Sequence, residues 1–148
     1  QSEPIEETPE IADALHEAYP NKPDLTADMV DTTTIRLPLL KIMSHKADQN
    51  GAPVYAYMFT YGNSYHGAEI PYVFDHANAS DEEKALADQI SQAWINFAKI
   101  GTPSAEGMPE WEPYTRENGA TMILDTQSEL VYHHDQNLLS LLVPDYVY

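Results

Sequence analysis

The sequence predicts an α/β fold, a sheet layer with helices on both faces, and three stretches carry that prediction. The first is Val54–Tyr61, where Tyr55, Tyr57, Phe59 and Tyr61 alternate with Val54, Ala56 and Met58. Alternation sends the two sets to opposite faces of a strand. Both sets are apolar or aromatic, the pattern of a central strand covered on both sides rather than half open to water. The second stretch follows Ser80 and sets Leu86, Ile90, Ala93, Trp94 and Phe97 on one side of a helix, a wide stripe that should pack onto the sheet. The third comprises Thr121–Leu124 and Leu130–His133, which read as two short strands joined around Asp125–Ser128.

In chain order, Gln1–Glu7 is acidic and is expected to be loose. Thr8 followed by Pro9 starts a helix, a hydroxyl cap with proline at the first helical position. Ile11, Ala14, Leu15 and Ala18 form its stripe, which stops before Pro20. Asn21–Pro23 is a turn, and a short helix is expected over Ala27–Asp31. Pro38 opens another towards Ala47 through Leu39, Leu40, Ile42 and Met43. The β-branched run Thr32–Ile35 should separate the two, because such side chains crowd the preceding helical turn. Gly51 and Pro53 break the chain before the strand, and Gly62, Asn63 and Ser64 end it. His66 follows, and Pro71 is expected to keep Ile70 out of the helical region. Ser80 and Glu83 form a capping box. Lys99 complements the last turn of the helix they open, which Gly101 and Pro103 terminate. Asp135 is placed to cap a last helix carrying Leu138, Leu139, Leu141 and Leu142.

The 148 residues are the length of one ordinary domain. Seven Lys and Arg stand against 24 Asp and Glu, a formal net charge of −17. Such a surface repels nucleic acid and anionic lipid, so neither is an expected partner. Without cysteine there is no disulfide or thiol chemistry, and the compartment cannot be read from redox use. No apolar run is long enough for a membrane span and no signal peptide opens the chain. Any targeting signal would lie upstream, so localisation stays open.

His66-Gly67-Ala68-Glu69-Ile70-Pro71-Tyr72-Val73-Phe74 closely resembles the catalytic-histidine motif of the type-B carboxylesterases. That family includes cholinesterases and bacterial para-nitrobenzyl esterases. The resemblance continues through Trp94-Ile95-Asn96-Phe97-Ala98-Lys99-Ile100-Gly101-Thr102-Pro103, similar to the family's W-x-N-F-A-x-x-G-x-P run. It extends to Trp111-Glu112-Pro113-Tyr114, near its W-P-x-Y, and covers about Asp24 to Leu130. Asp75 stands where the family usually has glycine, which bears on the local turn. The resemblance implies the C-terminal part of an α/β-hydrolase fold: final core strand, packing helices and a short strand pair. Neither a G-x-S-x-G nucleophile elbow nor a glycine-rich oxyanion loop occurs in the sequence. Residues 1–148 are therefore expected to be one segment of a single α/β-hydrolase domain whose N-terminal part, with the nucleophile, lies outside this chain.

Only His66 maps onto the family's triad. Its implied role is to take the proton of a serine hydroxyl attacking an ester carbonyl and to return it to the leaving alcohol. Glu69 matches a glutamate that supports the hydrogen-bond network beside the histidine; a carboxylate bonded to nearby backbone N–H groups is the alternative. Ser64 sits on no strand–turn–helix elbow and is rejected as nucleophile. His133-His134-Asp135 invites a metal site, but adjacent strand residues point to opposite faces, so solvated strand-end residues are expected. His16, His45 and His76 are also expected in solvent, Trp111 in core or lid packing, and no cofactor is implied.

Three functions compete. The leading one is a serine carboxylesterase of type B, acting on small-molecule carboxylic esters and active only with its N-terminal part as partner. The second is a non-catalytic binding or adhesion module of the same fold that keeps the histidine, as in the neuroligins. A G-x-S-x-G in the upstream coding sequence separates the two. The third is a stand-alone acidic domain, which the need of the Val54–Tyr61 strand for neighbours on both edges disfavours.

Overall fold

The computed structural model describes residues 5–30 and 32–145. Part of the loose stretch expected over Gln1–Glu7, and Asp31 at the end of the expected short helix, lie outside the described residues. Helix α1 spans Pro9–Ala18, with the Thr8 hydroxyl accepting the Ile11 N–H at 3.4 Å. Ala27–Met29 is a short 3-10 turn. Helix α2 spans Leu37–Asp48. Where the β-branched run was expected to break the path, Thr32–Arg36 forms π-helical turns leading into α2. Pro38 has no N–H to close an i→i−4 bond, so a regular α ladder cannot run through this point. A wider turn keeps the helical path.

Strand β1 spans Ala56–Phe59. A four-residue helix, α3, covers Ile70–Val73 and corrects the expectation for Ile70. Pro71 occupies the first turn, where its missing N–H has no intrahelical partner to lose. The long helix α4, Asp81–Ile100, begins at Ser80, whose hydroxyl accepts the Glu83 N–H at 3.1 Å. Glu83 reaches back one residue further than a capping box requires, accepting the Ala79 N–H at 2.9 Å. Gly101 closes the helix at φ 77°, a left-handed conformation that glycine adopts without strain. Strands β2 (Ala120–Leu124) and β3 (Glu129–Tyr132) and helix α5 (Gln136–Leu142) complete the order.

The sheet order is β1-β2-β3, with β1 parallel to β2 and β2 antiparallel to β3. Ala56 pairs with Thr121 and Phe59 with Leu124. The middle strand of these three is therefore β2, and β1 is an edge among the described residues. On one face, Met122 and Leu124 pack with Leu86, Ala87, Ile90 and Ala93 of α4, joined by Phe59 and Leu130. On the other, Ala56 packs with Leu40 and Met43 of α2, Tyr114 and Leu139 of α5. Helix α1 adds Ile11, Ala14 and Leu15 around Leu138. The result is three layers, as the apolar pattern requires. Trp111 is buried and donates its indole N–H to the Ala56 carbonyl at 3.1 Å, fixing the long return to β2. The stripe of α4 is covered only through Ala93; Trp94 is half-buried and Phe97 is exposed.

Candidate active site

Because β1 and β2 are parallel, both end at the same rim of the sheet, where open α/β sheets hold their ligands. Thr60 joins the two ends: its N–H donates to the Leu124 carbonyl at 3.1 Å and its hydroxyl to Asp125 Oδ2 at 2.6 Å. From this rim the chain turns through Gly62 (φ 60°) and Ser64 (φ 46°). A tight turn then closes from the Ala68 N–H to the Tyr65 carbonyl at 2.9 Å, with His66 at its first inner position. His66 is exposed, and among the described residues its ring has no hydrogen bond.

Glu69 is half-buried at the start of α3. Burial first, and then the charge and hydrogen bond of Glu69, raise the Tyr57 pKa above its ordinary value. Behind them Tyr72 packs on Phe59 and Tyr61, with ring centroids at 5.0 and 5.9 Å. Burial and the nearby Glu83 push the Tyr72 phenol up to about 12, so it stays a neutral packing group.

One residue of this rim carried no sequence signal. Lys22, in the turn after α1, donates its ammonium to the Gly62 carbonyl and to Ser64 Oγ, the latter at 3.0 Å. Ser64 Oγ in turn donates to the Tyr61 carbonyl at 3.0 Å. A lysine between two prolines reads locally as a solvated turn.

The histidine pair is not a solvated strand end. His133 adopts φ 48° and its Nε2 lies 2.9 Å from the Glu117 carbonyl oxygen. The His134 side chain is 6% exposed, with its ring edge-on to Tyr19 at 5.9 Å. Burial lowers its pKa below the ordinary value, the Asp135 carboxylate opposing and the Arg36 charge reinforcing. The left-handed residue at 133 ends the strand and rolls the chain inward, which strand alternation does not anticipate. His16, His45 and His76 are exposed as expected. Among the described residues, no three His, Cys, Asp or Glu side chains come together to hold a metal ion.

A model of the carboxylesterase family matches residues 9–139. The para-nitrobenzyl esterase of Bacillus subtilis is 31% identical over 141 residues, covering 84% of this chain and 28% of that protein. Liver carboxylesterase of Sus scrofa is 32% identical over 124 residues, covering 72% of this chain and 22% of the relative. Among solved structures, an esterase from Clostridium hathewayi that can hydrolyse aliphatic aromatic polyesters superimposes with a TM-score of 0.77 at 28% identity. It covers 89% of this chain and 28% of its own. The chain thus spans about a quarter of the length of the curated relatives it matches. With the match running through the helices, the parallel strand pair and the histidine loop, the chain belongs to the carboxylesterase family, its sheet and helices forming part of an α/β-hydrolase fold.

Proposed function

We propose that this chain is the C-terminal segment of a single α/β-hydrolase domain and that the complete protein is a serine esterase in which His66 is the triad histidine. The observation that carries the reading is the seat of His66, exposed on a tight turn past the shared end of the parallel strands and within the family match. The substrate class is small carboxylic esters. As a serine hydroxyl from the N-terminal part attacks the ester carbonyl, the imidazole takes its proton and the tetrahedral intermediate forms. On collapse the same proton goes to the departing alkoxide, and water repeats the cycle on the acyl-enzyme. An upstream Asp or Glu holds the ring's tautomer. Glu69, at the start of α3, is assigned a supporting role beside the histidine loop, where its charge acts on the Tyr57 phenol.

Two features support an N-terminal part as partner. Among the described residues, the outer edge of β1 has no neighbouring strand, leaving a row of backbone groups for another strand to pair. Tyr65, Ile70 and Phe74, in the segment that follows β1, expose large apolar side chains.

The test is hydrolysis of p-nitrophenyl acetate by the complete protein and its His66→Ala variant. Loss of general acid–base transfer should lower kcat/KM by about 10²–10⁴-fold with the fold retained. Equal activity in the two proteins would remove His66 from the chemistry.

A further inference from the structure

We propose that Lys22 is a positioning residue for His66, its ammonium clamping the loop that presents the imidazole. The inference rests on the esterase reading above and adds to it a part of the chain 40 residues away. Among the described residues the His66 ring has no hydrogen bond of its own, so the course of its loop decides where the imidazole is presented. That backbone is unusual: Gly62 and Ser64, two of the four residues before His66, are both left-handed. A left-handed serine is strained and persists only where its surroundings hold it.

Lys22 is what holds it. Its ammonium donates to the Gly62 carbonyl and the Ser64 hydroxyl, bracketing the left-handed pair, while the Ser64 hydroxyl donates in turn to the Tyr61 carbonyl. The base of the clamp is rigid. The Lys22 N–H donates to the Tyr19 carbonyl at 3.0 Å and its carbonyl accepts from Leu25 at 3.1 Å, with Pro20 and Pro23 on either side. Helix α1, which leads into this turn, is seated by Ile11, Ala14 and Leu15 against Leu138.

The choice of partners is telling in a chain with 24 acidic side chains. Lys22 forms no ion pair among the described residues and instead donates to two neutral oxygens of one loop. Loss of surrounding water lowers its pKa from the ordinary lysine value, with Asp125 opposing that shift.

The experiment uses the complete enzyme, with rates normalised to active sites titrated by the p-nitrophenol burst. Lys22→Met keeps the stem and removes the ammonium; its kcat should fall by about ten- to a hundredfold with KM nearly unchanged, the penalty of a misplaced catalytic group. Lys22→Arg should recover most of that loss, and Ser64→Ala should lose part of it. Wild-type kcat in Lys22→Met, or a deficit that disappears on active-site normalisation, overturns the clamp. If Lys22→Met does not fold, Ser64→Ala decides: reduced kcat supports the clamp and unchanged kcat overturns it. His66→Ala separates the two layers of argument. An inactive His66→Ala beside a fully active Lys22→Met sinks the clamp alone, while an active His66→Ala sinks the esterase reading and the clamp with it.

Discussion

Gly119 and His133 face each other where β2 begins and β3 ends, the His133 N–H donating to the Gly119 carbonyl at 3.2 Å. Both are left-handed, at φ 56° and 48°. A Cβ on Gly119 would stand 2.4 Å from His133 Nδ1, well inside contact distance, so the position needs glycine on two counts. Gly119→Ala should therefore destabilise the protein by about 2 kcal/mol or more, since backbone strain and overpacking act together. Urea denaturation of the complete protein checks this; an unmoved midpoint would show that the pair can slide apart. The same logic marks Asp75, left-handed at φ 56° where the family usually carries glycine. An aspartate tolerates that conformation better than most residues, and Asp75 also meets Lys84 at 3.1 Å.

Among the elements, the decisive link is between α2 and α5. Asp135 occupies the cap position of α5, but its carboxylate caps nothing. It takes a two-pronged bond from Arg36, at 2.7 and 2.9 Å, from the residue that starts α2. The Asp135 side chain is 2% exposed and that of Arg36 10%. Without Arg36, a buried carboxylate loses two charge-assisted bonds in a poorly solvating site. Arg36→Met should cost about 3–5 kcal/mol by chemical denaturation. The double variant Arg36→Met with Asp135→Leu should lose less than Arg36→Met alone, because the buried carboxylate goes together with its guanidinium. A larger loss in the double variant would mean that the pair itself, and not the compensation of a buried carboxylate, stabilises the junction.

For the whole molecule, the sheet is the issue. Among the described residues the sheet has three strands with an open edge on β1, beside exposed Tyr65, Ile70 and Phe74. Residues 1–148 expressed alone should bind an apolar dye strongly and self-associate in sedimentation velocity, whereas the complete protein should do neither. A stable, dye-silent monomer of the isolated chain would argue that this surface needs no cover.

Helix ends were legible because their determinants lie within a few residues: Thr8 with Pro9, Ser80 with Glu83, and Gly101. The strand pair Ala120–Leu124 and Glu129–Tyr132 was legible for the same reason, its apolar runs bounded by a local turn. The family was legible too, since the motif around His66 is contiguous. Folding decided what proximity in sequence cannot encode. It turned Asp135 from a cap into the partner of Arg36 across 99 residues, buried His134, and set Lys22 against the histidine loop across 40. The physical division is one of range: caps and turns are satisfied by neighbouring backbone, whereas burial and ion pairing depend on which distant segments the core brings together.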